Sequence, residues 1–302
     1  MRFSRAGRCG SANGARAVGV VAALLALGGI GVATTVGWAG AGLSGTETES
    51  QRPTVDRAST RPSTSASTTP SSTTSVPTSP SPQGQTVVAL GDSVTAGSAC
   101  DCTPFPELYA AALTARGPAK VQAANLGQSG LTTTGLVDQL GGRSTRQTLS
   151  DAARVVVTIG ANDLLPLIER RAASGCDASC SQPAVDRMGE GLARALARVR
   201  SDDPALQQLL VTTYWNVFED GDVADALRGP GFADWSDGVT KAANAAICRD
   251  AAAASATCVD LYTPFVGTDG QRNPTSLLAD DGDHPNAAGH AVVAAALLKA
   301  TL

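Results

Sequence analysis

Thr86-Val-Val-Ala-Leu-Gly-Asp-Ser93 is a short apolar run that stops abruptly at a glycine, an acid and a serine. Apolar, β-branched runs recur at 121–126, 153–159, 209–214 and 257–261. Between them lie alanine-rich stretches with helical spacing, at 106–116, 183–200 and 239–254, and a last one at 287–302. Strands that are apolar almost throughout and alternate with helices predict a parallel sheet covered on both faces. The expected fold class is therefore α/β, a three-layer α/β/α sandwich with a mainly parallel central sheet. Residues 217–235 carry acids, glycine and proline and read as a long surface loop. No internal repeat is present.

The organisation ahead of residue 86 is different. Residues 44–85 are dominated by Ser, Thr and Pro and cannot bury enough apolar surface to offset their ordering entropy, so they read as a solvated linker. Upstream, Arg2, Arg5, Arg8 and Arg16 precede an uncharged stretch, 17–43, that includes the small residues Ala39-Gly40-Ala41. That pattern fits an export signal cleaved after Ala41. It equally fits a retained anchor, since such a stretch would reach about 40 Å as a helix. Either reading of 1–43 places a single folded domain, 86–302, outside the cytoplasm, secreted or on the cell surface. Membrane anchoring, if retained, would run through residues 17–43.

Residues 86–302 hold 16 basic and 24 acidic side chains, and no Lys/Arg cluster interleaves with aromatics. Nucleic acid is excluded as a partner on that ground, and a monomer is expected. Cys9 lies ahead of the apolar stretch, and Cys100, Cys102, Cys176, Cys180, Cys248 and Cys258 lie in the domain. An even number in an exported domain suggests three disulfides, with about 15 pairings open. Proximity favours Cys176–Cys180 and Cys248–Cys258, leaving Cys100 and Cys102 for each other in a very tight loop that would stiffen the rim beside Ser93. No histidine or paired Cys-x-x-Cys accompanies them, so neither a metal nor any other cofactor is expected. Glu219-Asp-Gly-Asp222 lacks the rest of a calcium-loop pattern and reads as a solvated acidic loop.

Ligand sites in parallel sheets lie beyond the carboxyl ends of the strands. Gly91-Asp-Ser93, Asn125-Leu-Gly-Gln-Ser-Gly130 and Gly160-Ala-Asn162-Asp each close a predicted strand, and Asp281-Gly-Asp-His284 precedes the last helix. Serine becomes a useful nucleophile only when a base takes its proton. The chain has two histidines, His284 and His290, and His290 falls inside the last helical stretch, where a structural role is expected. His284 is then the candidate base. Asp281, three residues before it, is the candidate orienting acid, with Asp280 and Asp283 as near competitors. Charge on a tetrahedral intermediate needs fixed donors, for which the N–H groups of Ser93 and Gly130 and the Asn162 side chain are candidates. Taken singly, each motif could serve only a turn or a helix cap; four on one rim are hard to assign to folding alone.

The ordered set Gly-Asp-Ser93, Asn-x-x-x-x-Gly130, Gly-x-Asn162-Asp and Asp281-x-x-His284 resembles the four blocks of the SGNH (GDSL) hydrolases over essentially all of 86–302. It is most similar to secreted actinobacterial lipase/esterase members carrying three disulfides. The resemblance implies a serine esterase or lipase acting through an acyl-enzyme. Ser93 would be nucleophile, His284 base and Asp281 its orienter, with Gly130 and Asn162 completing the oxyanion hole and Asp92 bracing the turn. The substrate would be a small-molecule, lipid or glycan ester. An acetylated polysaccharide, a lysophospholipid or a thioester on the same site, or a non-catalytic module holding cell-envelope glycan, are the alternatives. No Gly-x-Ser-x-Gly elbow is present, which argues against the larger α/β-hydrolase fold.

Overall fold

A computed structural model describes residues 85–301. The expected leader, 1–43, and nearly all of the expected linker, 44–85, lie outside the described residues.

Five strands form one sheet: β1 (Gln85–Gly91), β2 (Val121–Asn125), β3 (Ala152–Thr158), β4 (Gln208–Thr212) and β5 (Thr257–Val259). They lie in the order β2-β1-β3-β4-β5, every pair parallel. The helices are α1 (Ser93–Ala96), α2 (Phe105–Arg116), α3 (Thr133–Gly141), α4 (Arg143–Leu149), α5 (Ala161–Leu164), α6 (Pro166–Ser174), α7 (Ala178–Asp202), α8 (Gly221–Arg228), α9 (Phe232–Ala253), α10 (Tyr262–Val266) and α11 (Ala287–Ala300). α2 packs on β1, β2 and α11, whereas α7 packs between α3 and α9, and α9 lies on β4 and β5.

This two-sided cover explains the unbroken apolar runs. Val87–Leu90 of β1, Val155–Val157 of β3 and Leu209–Val211 of β4 are all buried. Each large aliphatic side chain withdrawn from water in this way contributes roughly 1.5–3 kcal/mol. The chain leaves β1 for β2 on one side and returns to place β3 on the other. The crevice beyond the carboxyl ends of β1 and β3 is therefore the place for a ligand in this topology.

Residues 217–235 are not a surface loop, contrary to the sequence expectation. They contain α8 and the start of α9. Val217, Phe218 and Phe232 are buried, and the Phe218 ring stacks on Trp235 at 5.1 Å. The acid that suggested solvent instead caps α8, with Asp220 accepting from the Gly221 N–H at 2.7 Å. The glycines and proline at 229–231 join the two helices. The helices over 133–149 and 161–174 are additions to the sequence expectation. The six cysteines lie close to one another two by two, with Cα–Cα distances of 5.1 Å (Cys100, Cys102), 5.2 Å (Cys176, Cys180) and 5.1 Å (Cys248, Cys258).

Candidate active site

The turn after β1 has little freedom. Gly91 has φ +150°, and a Cβ there would stand 2.0 Å from the Thr158 carbonyl oxygen, so β1 and β3 approach closely only because the residue is glycine. Asp92 follows, donating its N–H to Thr158 O at 3.1 Å. Its Oδ1 accepts from the Val94 N–H at 3.0 Å, which caps α1, and its Oδ2 accepts from the Tyr214 hydroxyl. Burial pushes the Asp92 carboxyl up to about 7, although both hydrogen bonds pull the other way. Ser93 is thereby held as the first residue of α1, half-buried at the strand's end.

The second motif hangs on that turn. Asn125 Nδ2 donates to Thr95 O at 2.8 Å, Gln128 N–H donates to Gly91 O at 2.9 Å, and the hydroxyls of Ser98 and Ser129 meet at 2.5 Å. Gly130 has φ +77°, and a Cβ there would meet open space; its backbone angle, not crowding, calls for glycine. In the third motif Asn162 lies in the first turn of α5 and donates from Nδ2 to Leu131 O at 2.9 Å, leaving a second N–H. Asp163 accepts from the Thr133 N–H and hydroxyl at 2.9 and 2.7 Å, tying α5 to α3. Burial raises its pKa.

The fourth motif is a tight loop closed on itself. Leu278 and Pro285 form an antiparallel bridge, and Ala279 N–H donates to His284 O at 2.8 Å. The loop is pinned to the start of α8 by Asp220 N–H on Gly282 O at 2.8 Å. Inside it Asp281 Oδ1 accepts from the N–H groups of Asp283 and His284, each at 3.0 Å, and Oδ2 pairs with His284 Nδ1 at 2.7 Å. Partial burial pushes the Asp281 carboxyl up, but these bonds outweigh it and hold it below the usual carboxylate range. Of the competitors, Asp283 stands 3.9 Å from the same ring nitrogen and Asp280 is exposed. A carboxylate on Nδ1 leaves the Nε2 lone pair free to accept a proton. Nε2 is buried and has no hydrogen-bond partner among the described residues.

Ser93, Asn162 and His284 line one cavity of about 20 Å³, room for little more than a water molecule. Asp281 sits behind His284 and Gly130 on the neighbouring loop; neither lines this cavity. Tyr214, Trp215, Asn216 and Val217, directly after β4, form one wall. The sequence reading did not single them out, yet an aromatic and amide run closing a strand carries the same signal as the other motifs. His290 is fully buried, stacks on Phe105 and accepts its N–H on Nδ1 at 3.2 Å. Burial pushes it down to about 4, so it stays neutral in a structural position. The carboxylates of 219–222 are engaged with Arg228, Gly221 and Asn273.

Serine, amide and imidazole at the carboxyl edge of a parallel sheet point to a class of hydrolases built on a three-layer α/β/α sandwich. The chain belongs to the GDSL-like lipase/acylhydrolase family, whose sequence model matches residues 89–292, and is an ester-hydrolysing enzyme. It is similar in structure to the lipase Lip_vut3 from a goat rumen metagenome, with 18% identity and a TM-score of 0.60, covering 72% of this chain and 97% of that one. A second similar structure is BT4096, a gut microbial diltiazem-metabolizing enzyme, at 18% identity and a TM-score of 0.55, covering 73% of this chain and 47% of that one. At such identity these likenesses show the fold alone. No curated protein matches the sequence.

Proposed function

We propose that this enzyme is an exported serine esterase that hydrolyses carboxylic esters of short acyl groups. The observation that carries the reading is the pairing of His284 Nδ1 with Asp281, which leaves a buried, unpartnered Nε2 in the cavity that Ser93 also lines. His284 takes the Ser93 proton as the hydroxyl oxygen attacks the ester carbonyl, and Asp281 stabilises the imidazolium that forms. The N–H groups of Ser93 and Gly130 and the free N–H of Asn162 receive the developing oxyanion. Collapse expels the alcohol, which takes the proton from His284. Water, activated by the same imidazole, then releases the acid.

The small volume beside Ser93 favours an acetyl-sized acyl group over a long chain, which would have to lie along the surface past Leu165, itself 42% exposed. The basic and apolar leader supports export, and export supports disulfides at the three cysteine pairs. The test is turnover of an ester panel, acetyl to dodecanoyl, by the native enzyme and by Ser93→Ala. The reading expects rates that decline with chain length and vanish in the variant. Equal rates in the two proteins would remove Ser93 from the mechanism, and a preference for dodecanoyl esters would overturn the short-acyl assignment.

A further inference from the structure

Cys100 and Cys102 occupy the segment between the nucleophile helix α1 and α2. The segment is tied to the catalytic surroundings at two points: Ser98 N–H donates to Ser93 O at 2.9 Å, and Ser98 Oγ meets Ser129 Oγ beside Gly130. A bridge over one intervening residue removes little entropy from the unfolded chain, so stability is a poor explanation for the pair. One side of the pair faces a cavity of about 480 Å³, whose opposite wall is Asp280, Asp281 and Asn286. A small molecule entering this space meets Cys100 and Cys102 together with the loop of the orienting acid.

The other side meets His290. One of its imidazole nitrogens lies within 4.8 Å of both sulfurs. Two cysteines and a histidine suggest a metal, but the tautomer argues against one. The Phe105 N–H occupies Nδ1, so the proton of the neutral ring sits on Nε2, which is then a donor and not a ligand. That N–H is buried and has no acceptor among the described residues. Reduction would place a thiolate, an acceptor that a disulfide does not offer, in the same cluster as this donor.

We infer that Cys100 and Cys102 form a thiol–disulfide exchange site whose redox state sets the rate of ester hydrolysis. The co-reactant is an uncharged dithiol, because Asp101, Asp280 and Asp281 ring the cavity and repel anionic thiols. One thiolate of the dithiol attacks a cystine sulfur, the Cys100–Cys102 bond breaks, and a mixed disulfide forms. The second thiol of the dithiol resolves it. Two electrons pass to the cysteines, both dithiol protons end on their sulfurs, and the co-reactant leaves as a cyclic disulfide. Opening the bridge loosens the segment between Ser93 and Ser129, and small displacements of a catalytic group are costly.

The inference rests on the cysteine pairing proposed above, and the experiment separates the two. The intact enzyme is titrated with dithiothreitol and with glutathione, and the free thiols are alkylated and mapped at each step beside ester turnover. Cys100 and Cys102 free before any reductant is added would defeat the pairing itself. The inference expects this pair to open before Cys176–Cys180 and Cys248–Cys258, faster with dithiothreitol than with glutathione. Turnover should fall by about tenfold, recover on reoxidation, and be indifferent to dithiol in the double variant Cys100→Ser/Cys102→Ser. Opening last or together with the other pairs would overturn it, as would opening with unchanged turnover. Zinc that protects both reduced thiols from alkylation would also overturn it, in favour of a metal site.

Discussion

Replacing Asp92 by Asn should make the protein more stable at neutral and alkaline pH. Asp92 is 1% exposed, and its carboxyl is pushed up from 3.8 to about 7 by burial. The folded state therefore holds this proton more tightly than the unfolded chain does. The contribution to stability is complete below about pH 3.8 and is lost as the pH rises through about 7, a total of about 4 kcal/mol. Asn does not titrate, is as good a helix N-cap as Asp, and keeps an oxygen to accept the Val94 N–H. Its NH₂ replaces the oxygen that now accepts from Tyr214, so the Tyr214 hydroxyl must turn to accept; that fixed cost does not depend on pH. Urea unfolding of parent and variant from about pH 4 to 8 isolates the effect, because every other titrating group is common to both. The free-energy difference, variant minus parent, should climb by about 4 kcal/mol in the variant's favour over that range. A difference that is constant with pH would refute the assignment of a buried carboxyl behind Ser93 whose titration is pushed up to about 7.

Asp281→Asn should leave the fold intact and lower kcat by about 10⁴-fold, because an amide donor on Nδ1 selects the wrong tautomer of His284; steady-state kinetics check it. Asn162→Ala should lower kcat by about 10²–10³-fold with a much smaller change in KM, as expected for a donor that acts on the intermediate. His290, pushed down to about 4, binds its proton more readily in the unfolded chain, so its contribution is complete above about pH 6.5 and is lost as the pH falls through about 4. His290→Asn should remove that acid-side loss of about 3 kcal/mol, read by urea unfolding at about pH 4 and 7.

The strand and turn at 86–93 are legible because a strand buried on both faces must be apolar throughout, and its end must then turn polar at once. His284 is singled out by scarcity, whereas spacing leaves Asp280 and Asp283 beside Asp281 as candidates, and only the folded loop pairs Asp281 with Nδ1. The cavity wall of Tyr214 to Val217 is harder to foresee. Tyr214 reaches Asp92 across 122 residues, and only the order β1-β3-β4 brings their strand ends together. Residues 217–235 mislead for a related reason. Their aromatic anchors are separated by acids and glycines whose capping and linking roles exist only after Phe218, Phe232 and Trp235 have packed together. The segment 133–149 carries few apolar residues for spacing to reveal, and 161–174, although it holds Leu164, Leu165, Leu167 and Ile168, is broken at Pro166 into two short helices.

An activated serine is the centre of the proposed chemistry. The most direct measurement is intact-mass detection of labelling by a fluorophosphonate, which reacts with a serine only when a neighbouring base and oxyanion donors activate it. The native enzyme should gain one phosphonyl group, mapped to Ser93, while Ser93→Ala gains none and His284→Ala reacts far more slowly. Labelling at another residue, or equal labelling of the native enzyme and His284→Ala, would contradict the assignment of Ser93 and His284.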